Sequence, residues 1–307
     1  MTSTSRHIPV MLNEVLEYLA PKDNEVYVDA TFGNGGYTEA ILKSANCKVI
    51  AIDRDPSVLT RVNEIKEKYG ARFEFVAGAF GDIEELIKTK VNGVVFDIGV
   101  SSMQLDDGYR GFSFNKEAML DMRMSMSGMS AKDIINQTPE TELANLIYMY
   151  GEEKKSRQIA HKIIEARKIK EIETTTELAE IIYSVNPKRF GQIDPATRTF
   201  QAIRIAVNDE LSELQNGLEG AINITLNNAR IVVVDFHSLE DRIVKNFFAN
   251  NSAKKTHTSK YNTKENVDKD KPLSFVSKAI IASDDEANIN PRARSAKLRY
   301  AIRRKDK

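Results

Sequence analysis

Short runs rich in Val and Ile alternate with stretches whose apolar residues recur every third or fourth position, and this alternation organises the first hundred residues. The runs are VYVDA (26–30), KVIAID (48–53), RFEFVA (72–77) and GVVFDI (93–98). Unbroken apolar runs of this length suit strands buried on both faces, as in parallel sheets. YTEAILKSA and PSVLTRVNEIKEKYG, which lie between them, have helical spacing. The pattern therefore predicts an α/β fold with a doubly wound, mostly parallel, Rossmann-like sheet. After Ile98 the strand rhythm stops. Helical periodicity takes over in TELANLIYMYGEEKKSRQIAHKIIEARK, TTTELAEIIYSV and PATRTFQAIRIAVNDELSELQNGLEGAI, which reads as an inserted all-helical domain. RIVVVDF (230–236) resumes the sheet, and LSFVSKAIIAS with SAKLRYAIRR predicts two closing strands around a polar loop at 251–271. The expected division is 1–106 for the first part of the sheet domain, 107–215 for the insert and 216–307 for the second part.

Composition narrows the class. The 307 residues, 41% hydrophobic and 29% charged, are ordinary for a folded globular chain of about two domains. One cysteine, Cys47, excludes a disulfide framework, and four histidines form no cluster at zinc-ligand spacing. The opening MTSTSRHIPVMLNEVLEYLAP has Asn13, Glu14 and Glu17 inside its apolar stretch, and no run approaches the ~18 apolar residues of a membrane span, so a cytoplasmic location is the expectation. A net charge of zero argues against nucleic-acid binding by bulk charge. The average hides a basic end: residues 291–307 carry eight Lys or Arg against one Asp. That end reads either as a contact for phosphate or as a frayed, solvated tail.

The first strand runs into Asp29-Ala-Thr-Phe-Gly33-Asn-Gly35-Gly36 and then a helix. Glycines there let the backbone approach a ligand at a helix head. The GxGxxG dinucleotide fingerprint requires Gly at 38, where Thr38 stands, so a nicotinamide or flavin cofactor is disfavoured. The second strand ends at Asp53, eighteen residues after Gly35, where a carboxylate can accept bonds from both ribose hydroxyls. An acidic residue before GxGG and an acidic second strand end resemble the S-adenosylmethionine site of Rossmann-like methyltransferases. Asp97 closes the fourth strand, where open α/β sheets bind ligands, with Gly99 beside it. It is the candidate catalytic residue, an acceptor for an attacking amine; the alternative is a cap on the Ser101 or Ser102 amides. Five of nine methionines lie between Met119 and Met129 and read as adaptable packing against a neighbouring domain.

HIPVML, DATFGNGG, AIDRDP, DIGVSSMQLDDGYRGFSF, LDMRM, YGEE, PATRTFQAIRIAVNDEL, FHSLEDRIVK and NPRARSAKLR occur in the order seen in MraW-type methyltransferases, and the resemblance spans almost the whole chain. Those enzymes modify the exocyclic 4-amino group of a cytosine in 16S ribosomal RNA of the bacterial small subunit. The resemblance implies a class I S-adenosylmethionine-dependent fold with a helical substrate domain. It places donor contacts on Gly35, Gly36, Tyr37, Asp53, Phe80, Asp97 and Gln104. The family usually has His where this chain has Tyr37, and Ser where it has Asp235. Tyr37 can still offer its amide and one side-chain hydrogen bond. The Pro-Pro-aromatic signature of DNA amino-methyltransferases is missing after the fourth strand, so the proton acceptor is left open.

Around residue 200, Phe200, Val207, Leu211, Leu214 and Leu218 predict one core face, with a helix start at Asp194 and Pro195. Thr197, Gln201, Arg204 and Asn208 fall on a second, hydrogen-bonding face, either plainly solvated or facing RNA. With the resemblance, Arg198, Gln201, Arg204 and His237 are the candidate substrate contacts, and a homodimer is left open. Ser238 with Asp241 reads as a helix cap, and His161 as structural. Two other readings compete: a methyltransferase for DNA or a small molecule, and a non-catalytic ribosome-assembly factor that retains the fold.

Overall fold

The computed structural model describes residues 9–252, 255–256, 266–267 and 271–305. The chain divides into two compact units, Met1–Gly99 with Leu211–Lys307, and Val100–Glu210. The first unit begins with α1 (Leu12–Leu19), β1 (Val26–Asp29), α2 (Gly36–Ser44), β2 (Lys48–Asp53), α3 (Leu59–Tyr69), β3 (Phe73–Ala77), α4 (Ile83–Leu86) and β4 (Val91–Asp97). The second unit holds α5 (Ser102–Asp106), α6 (Ala131–Gln137), α7 (Glu140–Gly151), α8 (Ser156–Ile169), α9 (Thr175–Val185) and α10 (Ala196–Asn208). The chain then runs through α11 (Glu210–Ile224), β5 (Thr225–Asp235), α12 (Ser238–Asn251), β6 (Lys255–Thr256), β7 (Asn266–Val267), β8 (Leu273–Val276), β9 (Ile280–Ile281), α13 (Asp284–Ile289) and β10 (Lys297–Arg303).

The main sheet has the order β3-β2-β1-β4-β5-β10-β8, with β9 also on β10 and β6 paired with β7 apart from it. Strands β1 to β5 pair in parallel, and β10 is antiparallel to both β5 and β8. The sequence order reverses between β1 and β4, so the crevice beyond their carboxyl ends is the topological switch point where such sheets take ligands. Asp29 and Asp97 end those two strands.

Val28, Ile50, Val94, Phe96 and Val233 pack with Leu214 and Leu218 of α11 and Phe248 of α12 in one cluster. Cover by helices is why these strands read as continuous apolar runs. β5 begins five residues earlier than its apolar run because Thr225 already pairs with Val91, ahead of a register shift at Val91/Gly93.

As far as residue 305, the basic C-terminal stretch is not a frayed, solvated tail. β10 lies between β5 and β8, with Leu298 and Ala301 fully buried. Arg299 Nε donates to Asp241 Oδ1 at 2.7 Å, and Lys297 Nζ lies 3.1 Å from Asp241 Oδ2. Arg303 and Arg304 donate to the carbonyls of Pro272 and Leu273. A count of charge cannot distinguish guanidiniums engaged within the fold from those in water.

The second unit packs Leu143, Ile147, Ile159, Ile163, Leu178 and Ile182 around Phe200 and Ile203. Its helices start as their caps dictate: Ser130 with Asp133 before α6, and Thr174 with Glu177 before α9, each form a reciprocal capping box. Met122 and Met124 fill this unit's own core, and Met119, Met126 and Met129 are exposed. The single apolar stripe expected from Phe200 to Leu218 is broken at Asp209, whose φ of 48° ends α10. Phe200 thereby serves one core while Leu214 and Leu218 serve the other. Among the described residues, no helix is long and apolar enough to cross a membrane.

Candidate active site

The turn from β1 into α2 is organised by Asp29. Its Oδ2 accepts from the Thr38 amide at 3.1 Å and the Thr38 hydroxyl at 2.7 Å, and its Oδ1 accepts from the Thr31 amide at 3.3 Å. Thr38, at the position the dinucleotide fingerprint gives to glycine, is thus the residue that ties the helix to the strand end. Burial pushes the Asp29 carboxyl up to about 6, against the pull of those bonds.

The two glycines make room for the chain's own side chains. Gly35 caps α2 at φ +71°, and a Cβ there would lie 2.5 Å from Ile65 Cδ1. A Cβ on Gly36 would lie 2.3 Å from Pro9 Cγ. Packing within the fold is thus one reason for glycine at both positions. Tyr37 is buried and its hydroxyl donates to the Val10 carbonyl, so its side-chain hydrogen bond is made within the fold.

Asp53 accepts one backbone amide on each oxygen, Gly33 at 2.7 Å and Asp55 at 2.8 Å. Each oxygen keeps a further lone pair for another donor. Phe80 stands in a short turn, Phe80–Asp82, after β3, its ring 5.8 Å from that of Phe96 and edge-on to it.

Asp97 does not cap the following turn. Its amide donates to the Thr31 hydroxyl at 2.7 Å, and the Ser101 amide is taken by Gln104 Oε1 at 2.9 Å. Its Oδ1 is buried with no hydrogen-bond partner. Burial pushes this carboxyl up to about 8, helped by the charges of Asp29 and Glu240 and opposed by Arg292. A buried acceptor without a donor is costly for the fold alone, which makes Asp97 at the switch point a candidate ligand contact.

Asp235, where the family pattern has Ser, is fully buried with neither oxygen partnered. Burial, with Asp241 and Glu240 nearby, pushes it up to about 8 against Lys297 and Arg299. Asp97 aligns with Val234, and Asp235 with Lys297, so the two carboxylates leave the sheet on opposite faces.

The cap of α12 is His237 with Glu240, correcting the Ser238 and Asp241 reading. Glu240 N–H donates to His237 Nδ1 at 3.4 Å, and Glu240 Oε2 accepts from the Phe236 and His237 amides at 2.9 and 3.2 Å. Asp241 instead holds Lys297 and Arg299.

The remaining candidates belong to the second unit. Gln104 completes a capping box with Ser101. Gln201 Nε2 donates to the Tyr150 carbonyl at 3.1 Å, and Arg204 grips Glu210 in two bonds of 2.8 and 2.9 Å. Asn208 bonds the Met122 carbonyl and the Met124 amide, so it is a structural residue. Arg198 is exposed. His161 sits on α8 beside Glu140.

The structure thus gathers Asp29, Asp53, Tyr37, Phe80 and Asp97 on neighbouring strand ends and turns of one unit. Thr31, which the sequence did not single out, and Thr38, marked there only as the break in the dinucleotide fingerprint, hold that end together; their signal was a hydroxyl two and nine residues after the strand-end aspartate.

Residues 4–304 match the MraW methylase family. A protein of Rickettsia massiliae named ribosomal RNA small subunit methyltransferase H is 55% identical over 298 residues, covering 96% of this chain and 97% of the relative. Proteins of the same name from Rickettsia felis and Rickettsia bellii are each 54% identical over 299 residues. With identity at this level from end to end, and strand-end carboxylates at the switch point of a doubly wound sheet, the chain belongs to the MraW methylase family.

Proposed function

We propose that this protein transfers a methyl group from S-adenosylmethionine to the exocyclic 4-amino group of a cytosine in 16S ribosomal RNA of the small subunit. The observation that carries the reading is the unpartnered, buried Oδ1 of Asp97 at the switch point, one strand from Asp29 and two from Asp53. The site fits the donor: Asp53 has lone pairs for two ribose hydroxyls, Phe80 offers an apolar ring, and Asp97 offers negative charge to a cation. When bound, S-adenosylmethionine supplies a methyl carbon on a cationic sulfur. The backbone of the Gly35–Tyr37 turn would border it, since the side chains there are absent or committed inward.

Asp97 is the catalytic candidate. Ionised, it accepts a hydrogen bond from an attacking amine, aligns its lone pair and disperses the positive charge that develops on nitrogen. A paired cytosine amine is already bonded inside a helix, so the base must be presented unstacked. Arg198 is a candidate for backbone phosphate; Arg204 reaches substrate only by exchanging Glu210, whereas Gln201 and His237 are each held by one side-chain hydrogen bond, through Nε2 and Nδ1. Gln104 would reach the donor only by leaving its capping box. No residue of this reading needs a second copy of the chain, and its place of action is the cytoplasm.

Incubation with labelled donor and, separately, small ribosomal subunits, free rRNA, DNA and metabolites tests the proposal. Label on cytosine N4 of 16S rRNA is expected. Label only in DNA or a metabolite overturns the substrate, and absence of donor binding favours an assembly factor.

A further inference from the structure

The segment joining α9 to α10 carries two apolar side chains in open water: Phe190, 108% exposed, and Ile193, 80% exposed. The segment is tied at its base. Lys188 Nζ lies 3.0 Å from Asp194 Oδ2 and 4.3 Å from the Tyr183 ring centroid, and the Tyr183 hydroxyl donates to both oxygens of Asp194 at 3.1 and 3.2 Å. Asp194 Oδ1 also accepts the Ala196 amide at 2.9 Å, anchoring the clasp to the start of α10. Above it the chain reverses through Gly191 at φ +73°, with the Gln192 amide donating to the Arg189 carbonyl at 3.3 Å. Arg189 and Phe190 are the tip, and both are exposed.

A phenyl ring wholly in water adds nothing to folding, yet an ion pair, a bifurcated tyrosine hydrogen bond and a helix start converge to hold the turn that presents it. Its neighbours decide what it fits. Arg189 directly precedes this ring and the exposed Arg198 lies on α10 just after it, so the ring stands among guanidinium groups. An aromatic face beside guanidinium groups matches a nucleotide, with a base to stack and a phosphate to neutralise.

We propose that Phe190 is a stacking finger for an unpaired base of the substrate RNA, with Arg189 contacting an adjoining phosphate. The proposal rests on the reading of RNA as substrate and adds to it a second point of recognition on the helical unit.

The chain contains no tryptophan, so Phe190→Trp places its one indole at the tip. Titration of that variant with a single-stranded RNA 12-mer is expected to quench the emission and shield it from acrylamide. Phe190→Leu, which keeps apolar bulk and loses the aromatic face, is expected to weaken binding of the same RNA about 5- to 150-fold, while Phe190→Trp retains it. Arg189→Ala is expected to lower the slope of log affinity against log salt by about 1. An unquenched indole, or Phe190→Leu binding RNA as the natural chain does, overturns the finger. So does a defect seen with intact subunits and not with naked rRNA, which assigns the tip to a protein surface. If the natural chain methylates rRNA while Phe190→Leu binds RNA unchanged, the finger fails and the proposed function stands; if the natural chain methylates no RNA, the proposed function fails.

Discussion

Asp97 titrates near 8, so at pH 7 the free protein holds a proton on it. A ligand with a cationic sulfur beside this carboxyl favours the ionised form, and its binding releases that proton. For a group titrating near 8, the ionised fraction is about 1% at pH 6 and about one half at pH 8. Apparent affinity follows that fraction, so S-adenosylmethionine should bind up to about 50-fold more tightly at pH 8 than at pH 6. S-adenosylhomocysteine has the same adenosine and amino-acid groups on a neutral sulfur, and its affinity should rise far less. Asp29, pushed up to about 6 and bonded to Thr31 and Thr38 within the fold, titrates in both experiments and cancels in the comparison. Isothermal titration in two buffers of different ionisation heat, at pH 6, 7 and 8, gives affinities and released protons together. Equal pH dependence for the two ligands, or no proton released by the donor at pH 7, refutes the reasoning. Asp97→Asn should abolish the difference between them.

Asp53→Ala should weaken donor binding by about 1 to 3 kcal/mol through the lost acceptors, read by calorimetry; unchanged affinity removes Asp53 from the site. Asp235 keeps its proton in the folded chain up to about 8 while the unfolded chain releases it near 4, so folding becomes costlier as pH rises through that window. Asp235→Asn, which does not titrate, should therefore gain on the natural chain by about 1.4 kcal/mol per pH unit between pH 5 and 7.5 in urea unfolding. Parallel profiles would show that Asp235 is not held protonated. Asn208→Ala strands the Met122 carbonyl and the Met124 amide. It should cost about 2 to 3 kcal/mol of stability, visible as a lower Tm, and an unchanged Tm would show those bonds to be dispensable.

The strands β1 to β4 were legible in the chain because burial on both faces writes unbroken apolar runs into local sequence. The loop after β1 and the acid at the end of β4 were legible for the same reason, since strand, turn and helix follow one another within a few residues. Motif order along the chain was enough to place it in its family. Other features needed the tertiary structure. The glycines at 35 and 36 read as room for a ligand, and that they also make room for Ile65 and Pro9 is visible only in space. Gln201, Arg204 and Asn208 look like one free polar face until Tyr150, Glu210 and Met122 take them. Residues 291–307 look like a basic tail until β5 and β8 enclose β10, and the polar start of β5 looks like a loop until β4 pairs with it. Periodicity and spacing encode which face of an element is apolar, and so they survive in one dimension. Which donor meets which acceptor is set by residues far apart along the chain, and only their meeting in space decides whether a charge is held within the fold or remains for a ligand.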